Sequence, residues 1–122
     1  MGGFVFYTNL NAMNAEEIRE YALAKENVIE GFPFGESTHV YKVKDKIFLL
    51  VALDETPLRF NAKCDPDRAE ELREEYPKVV LPGYHMNKKH WNTVIVRDLK
   101  IKLLKEMIDD SYNLVSAKKT KS

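Results

Sequence analysis

Apolar and polar positions change period several times along this chain, and each change predicts an element. Ile18, Tyr21, Ala22 and Lys25 recur at helical spacing behind Met13-Asn14-Ala15-Glu16-Glu17. An asparagine followed three residues later by a glutamate is the capping-box pattern, and Met13 is placed to staple onto Ile18. A helix starting at Asn14 with one narrow buried stripe is therefore predicted. Gly31-Phe32-Pro33-Phe34-Gly35 interrupts it. The proline and two glycines forbid a regular element there, and the two phenylalanines predict a loop pinned to the core by its rings.

Strand patterns follow. Thr38–Val43 is β-branched and aromatic, and 47–53 is a continuous apolar run suited to a central strand. Lys44-Asp45 between them is short enough for a tight hairpin, although it lacks the favoured Asn-Gly. Residues 57–63 alternate, with Leu58, Phe60 and Ala62 on one side and Arg59, Asn61 and Lys63 on the other. Such alternation puts one face in the core and one in water. Asp65 caps a second helix with Pro66 at its first position, Ala69, Leu72 and Tyr76 form its buried stripe, and Pro77 ends it. Pro82-Gly83 predicts a turn and 92–96 a short strand. Asp98 is a cap for the last helix, in which Leu104, Ile108, Ser111, Tyr112 and Val115 share a face. The order predicts an α+β domain, an antiparallel sheet with helices packed on one face. Residues 13–116 form that domain. Residues 1–12 are expected as a flexible arm or extended start, with Met13 a candidate native start, and 117–122 as a basic flexible tail.

Composition narrows the class. A chain of 122 residues has material for one core. No apolar run approaches the roughly 18 residues of a spanning helix, and Phe4-Val5-Phe6-Tyr7 is too short for a secretory segment, so a cytoplasmic protein without membrane association is expected. A single cysteine, Cys64, rules out an internal disulfide. The 19 basic and 19 acidic residues cancel, which argues against a strongly electrostatic nucleic-acid binder. Their distribution is uneven. Residues 65–76 hold six acids against two bases, and 14–30 five against two. Residues 84–97 hold Lys88, Lys89 and Arg97 and no acid, and the tail adds Lys118, Lys119 and Lys121. A bipolar surface is predicted.

Three strings are more specific than any of this: Phe32-Pro33-Phe34-Gly35-Glu36, then Lys63-Cys64-Asp65-Pro66 leading into Ala69-Glu70-Glu71-Leu72-Arg73, and Pro82-Gly83-Tyr84-His85-Met86-Asn87-Lys88-Lys89-His90-Trp91-Asn92-Thr93-Val94. In these the chain closely resembles the MmcQ/YjbR family of small bacterial proteins, over roughly residues 13–115. It departs from the family pattern in lacking glycine at Lys44-Asp45 and in running Val96-Arg97-Asp98-Leu99 before the last helix. The resemblance implies a frataxin-like fold, akin to the double-wing DNA-binding domains of phage transcription factors, and a DNA-binding role. That role rests on likeness of fold.

The chemistry consistent with it lies in Asn87-Lys88-Lys89-His90-Trp91-Asn92. Lysines neutralise phosphates, an indole offers a stacking plane, and asparagines hydrogen-bond bases or backbone. Arg59, Asn61 and Lys63 form a stripe on the polar side of their strand. Duplex DNA is therefore the first expected partner, contacted by Arg59, Lys63, Lys88, Lys89, His90, Trp91 and Arg97. Each has a plainer reading beside it: Trp91 as a buried anchor, the lysines as a solvated turn, the stripe as a solvated sheet face. The alternative partner is a protein or small ligand held by Phe32, Phe34 and Tyr84. No phosphate-binding loop, dinucleotide fingerprint or serine elbow is present, so the chain is read as non-enzymatic. A nucleophilic Cys64 served by His85 or His90 is the weakest candidate, because Asp65 and Asp67 oppose a thiolate. His85 and His90, five residues apart, face different directions on helix or strand. Acidic ridges like those frataxins use for iron could be imitated by Glu16, Glu17 and Glu20 or by 67–75, but solvated helix faces explain them. No cofactor or metal is expected.

Overall fold

The computed structural model describes residues 13–83 and 86–117. Tyr84, His85, the arm 1–12 and the lysines of the tail lie outside them. The described residues form helix α1 (Ala15–Leu23), strands β1 (Val28–Gly31), β2 (Thr38–Val43), β3 (Lys46–Ala52) and β4 (Arg59–Lys63), helix α2 (Pro66–Glu75), strands β5 (Val80–Pro82) and β6 (Trp91–Ile95), a 3-10 turn (Val96–Asp98) and helix α3 (Ile101–Ser116). The strands make one antiparallel sheet in the order β1-β2-β3-β4-β6-β5. The expected α+β architecture is present.

Local chemistry accounts for most boundaries. Asn14 accepts from the Glu17 amide at 2.8 Å while Glu17 accepts from the Asn14 amide at 3.0 Å, a reciprocal cap that starts α1. The helix is shorter than its stripe implies. Asn27 takes a left-handed φ of 63° and turns the chain into β1, a strand hidden from sequence reading by the adjacent glycine and proline. Lys44 and Asp45 both have positive φ, 54° and 65°, so the β2–β3 hairpin is closed without glycine. Asp65 caps α2 as expected, accepting from the Asp67 and Arg68 amides. Asp98 does not cap α3. It sits in the 3-10 turn, and the N-cap position is Lys100, which makes no side-chain cap. Pro82 is also not in a turn, because it closes β5 against β6.

All three helices contribute to one core. Ile18 and Ala22 of α1, Ala69 and Leu72 of α2, and Leu104, Met107, Ile108 and Val115 of α3 cluster with Tyr41, Val43, Leu49, Val51, Phe60, Ala62, Val80 and Val94 of the sheet. The sheet residues share one face by register, Val51 with Phe60 and Phe60 with Val94. The ladder jumps between Tyr41 and Lys42, which leaves Phe48 as an extra residue in β3. Phe48 and Leu49 are consequently both fully buried, which explains the unbroken apolar run. Ser111 of α3 mends the irregularity: its hydroxyl donates to the Phe48 carbonyl and accepts from the Lys63 amide at 2.8 Å. Among the described residues, the opposite face of the sheet carries no helix.

Candidate functional site

Strand register decides what the helix-free face displays. Leu50 pairs with Asn61, Asn61 with Thr93, and Thr93 with Leu81. These four residues form a row across β3, β4, β6 and β5. The next row carries Ala52 beside Arg59. Since side chains alternate along a strand, both rows stand on the side away from the helices. Phe34 from the β1–β2 loop, Thr38, Ile47, Met86, Pro82 and Glu55 rise around the rows, and together they enclose a concavity of about 630 Å³. That lies inside the roughly 300–1,000 Å³ range of small-molecule sites. The lining is predominantly apolar.

The polar part of the lining is Thr38, Glu55, Arg59, Asn61 and Thr93. The Thr93 hydroxyl donates to Asn61 Oδ1 across the β4–β6 ladder. Arg59, one-third exposed, directs its guanidinium toward Glu55, with Nε 3.9 Å from Oε1. That distance is beyond hydrogen-bond reach, and Arg59 Nε is the one buried side-chain polar atom among the described residues without a hydrogen-bond partner. An unmatched buried donor costs about 1–3 kcal/mol.

The seven expected nucleic-acid contacts divide into two groups. Lys63 and Trp91 face each other across β4 and β6, and Lys88, Lys89 and His90 precede Trp91 in the same turn. Lys88 and Lys89 are exposed, and no acid among the described residues pairs with them or with Lys63. Trp91 is half-buried, with its backbone and Cβ lying on Gly83. Arg59 and Arg97 do not join this group. Arg59 and Lys63 stand four positions apart on β4, roughly 13 Å, and Arg59 lies beside Glu55. Arg97 stands past the far end of β6, 3.5 Å from Asp98. Asn92 is no reader of bases either, being buried, accepting from Arg73 Nη1 at 2.7 Å and donating to the Ala69 carbonyl. Asn87 accepts from the Lys89 amide and closes its own turn. The basic sheet face expected from the sequence is thus divided, with Lys63 and the Lys88-Lys89 turn toward one end of β4 and Arg59 at the other.

The phenylalanine loop also differs from expectation. Phe32 and Phe34 are 47% and 65% exposed, so neither pins the loop to the core. Phe32 instead stacks on His39 with ring centroids 4.4 Å apart, and Phe34 walls the pocket. His39 belongs to a polar group that sequence reading passed over. Its Nε2 lies 2.8 Å from Glu30 and its Nδ1 3.1 Å from the Tyr41 hydroxyl. Arg19 grips both oxygens of Glu30 at 2.9 Å. These bonds hold the Glu30 carboxyl below its ordinary range, the Arg19 bond foremost. Burial raises the Tyr41 hydroxyl. The only sequence signal for the group is a histidine within the Thr38–Val43 strand pattern.

Cys64 is buried at the end of β4, and burial, aided by Asp110, pushes its thiol up to about 11. A nucleophile needs the opposite shift. Burial likewise raises Asp110. No three His, Cys, Asp or Glu side chains among the described residues converge as metal ligands, and no described helix is long and apolar enough to cross a membrane.

Comparison with known proteins gives consistent relatives. The chain is 42% identical to YbdF of Escherichia coli O157:H7 over 86 residues, 69% of each chain. It is 30% identical to YjbR of Escherichia coli K12 over 114 residues, 89% of this chain and 96% of that one. Among solved structures, Deinococcus radiodurans protein DR2400, assigned to domain DUF419, superposes with a TM-score of 0.83 at 37% identity, covering 91% of this chain and 84% of its own. A Pseudomonas syringae protein superposes at 0.69 with 26% identity, over 84% of this chain and 99% of its own. The YjbR family pattern matches residues 23–114, a span running from the end of α1 through nearly all of α3, and the chain is a member of the YjbR family.

Proposed function

We propose that this protein is a non-catalytic binding module that holds a small, largely apolar ligand against the helix-free face of its sheet. The observation that carries the reading is the concavity of about 630 Å³ floored by Leu50, Asn61, Thr93 and Leu81. A sheet face bare of helices normally shows solvated polar side chains, whereas this one carries Ile47, Leu50, Ala52 and Leu81 beside its polar residues and is walled by loops. Phe34, 65% exposed in an otherwise well-packed domain, gains cover only when something occupies the pocket. A titration with the neutral fluorophore N-phenyl-1-naphthylamine tests the reading. Saturable binding is expected, weakened several-fold in Phe34→Ala and abolished in Leu50→Arg, which puts a charge in the floor. Binding of equal strength in folded Leu50→Arg overturns it.

A second reading, weak binding of duplex DNA, is favoured by one specific observation: Lys63, Lys88 and Lys89 gather beside Trp91 with no acid paired to them among the described residues. Three phosphate contacts release counterions with a salt slope of roughly −2 to −3. Anisotropy of a labelled duplex at low salt is expected to saturate on the order of tens of micromolar, and Lys88→Glu/Lys89→Glu to abolish the signal. A flat titration, or one indifferent to that double change, removes DNA from consideration.

A further inference from the structure

We infer that the pocket on the helix-free face takes a carboxylate with an apolar body, anchored by Arg59; the inference rests on the pocket being a ligand site, as proposed above. Four observations carry it. First, the lining separates into a large apolar part, Phe34, Ile47, Leu50, Leu81, Pro82 and Met86, and a small polar corner around Arg59. A ligand matching that division has a hydrophobic body and one polar head. Second, Arg59 Nε is buried and makes no hydrogen bond. Once Glu55 moves aside and Nε is uncovered, a head group with acceptor oxygens relieves that deficit, since Nε together with one Nη makes the parallel pair of donors that a carboxylate accepts in bidentate fashion.

Third, the present partner of Arg59 is poorly placed to compete. Glu55 is half-exposed and its oxygen stays 3.9 Å from Nε. Such a contact is worth little, and an exposed side chain swings aside without unpacking anything. A carboxylate inside the pocket meets the partly exposed guanidinium through charge-assisted hydrogen bonds, which are shorter and about twice as strong as neutral ones. Fourth, Asn61 stands two residues along the same strand face, roughly 7 Å from Arg59. Its carbonyl oxygen is taken by the Thr93 hydroxyl, which leaves its NH₂ group to donate toward a ligand.

A phosphate fits less well. It brings a second negative charge into a site whose other charged lining residue is Glu55 and whose cation is a single arginine. The cations at the Lys63 end lie on another part of the face, so they do not serve this corner.

Trp91 supplies the readout. It is the chain's sole tryptophan, and it sits two residues from Thr93 on the same side of β6. The test is a titration of the full chain with decanoate and, separately, with decanamide, which has the same body and a neutral head, followed by Trp91 fluorescence and by calorimetry. Decanoate is expected to bind about tenfold or more tighter than decanamide. Arg59→Gln is expected to make the two ligands equal, and Arg59→Lys to keep part of the preference, with circular dichroism confirming that both variants fold. Equal affinity of acid and amide in the unaltered chain overturns the anchor while leaving the apolar pocket in place. Failure of both ligands to bind overturns the pocket reading and the anchor together. Sedimentation at the same concentrations identifies a competing occupant: dimers that decanoate does not disperse mean that a second copy fills the face, which also overturns the inference.

Discussion

Gly83 has no room for a side chain. A Cβ there meets Trp91 Cβ at 2.7 Å and the Trp91 carbonyl oxygen at 2.9 Å, and neither is the movable end of a flexible side chain. The Gly83 amide also donates to that carbonyl at 2.8 Å. Gly83→Ala is expected to destabilise the fold by about 1–3 kcal/mol, the usual penalty of overpacking, measured as a lowered denaturation midpoint. Cys64 is predicted to be inert. With the thiol at about 11 against 9.0 for a free one, thiolate at neutral pH falls roughly a hundredfold. Iodoacetamide should label the native chain at least that much more slowly than the unfolded one, and equal rates refute the assignment. Glu30 carries a pH signature. Because its folded pKa is lowered, chiefly by the Arg19 hydrogen bond, the stability it adds is present above pH 4.5, the carboxyl's ordinary value, and drains away as pH falls through the folded value. Glu30→Gln is expected to flatten the acid limb of the stability profile. An unchanged limb means the Arg19–Glu30–His39 group contributes nothing measurable.

At the scale of elements, the β2–β3 hairpin is closed by two non-glycine residues in left-handed backbone. Asp45→Gly relieves the side-chain clash of that conformation at one of them and is expected to stabilise the chain by about 1 kcal/mol. Lys44 is better left alone, since its ammonium donates to the Ser116 carbonyl at the end of α3 at 2.7 Å. A lower denaturation midpoint in Asp45→Gly contradicts the turn geometry. The bulge in β3 works at the same scale. By placing Phe48 and Leu49 on the same side it gives α3 a broader apolar bed, with Phe48 edge-on to Tyr112 at 5.4 Å. Leu50 and Ala52 beyond it remain on the other face, so the bulge helps position the pocket floor.

At the scale of the whole molecule, burial is one-sided. Among the described residues, three helices cover one face and loops rim the other, so a largely apolar concavity survives in a chain of zero net charge. Helix α1 packs Ile18 and Ala22 into the core. Its polar anchor to α3 is Tyr21, which donates to Asp109; just past the helix Lys25 donates to the same carboxylate, and Tyr112 donates to the Glu26 carbonyl at 2.7 Å. Burial, followed by the Asp109 bond, pushes the Tyr21 hydroxyl up to about 12. Asp109→Ala removes the shared acceptor, and amide exchange in α1 is expected to accelerate well beyond that in α2 and β4. Uniform acceleration across the chain would show that α1 unfolds only with the rest.

Sequence alone determined what short-range forces control. The Asn14 and Asp65 caps, the alternation of β4, the stripe of α3 and the α+β order depend on residues a few positions apart, and so are written in local patterns. The family strings likewise mark the chain as YjbR-like wherever its strands lie. Tertiary structure alone decided what the helix-free face displays. Whether Arg59 joins Lys63 or faces Glu55, whether Phe34 packs inward or walls a cavity, and whether Asn92 reads a ligand or holds Arg73 all follow from strand register and loop placement. β1 escaped sequence reading for a related reason, since its four residues gain strand character from the ladder with β2 rather than from their own pattern. The physical reason is common to all of these: an exposed face acquires its chemistry from residues that hydrogen bonds between distant segments bring side by side, and no local periodicity encodes that adjacency.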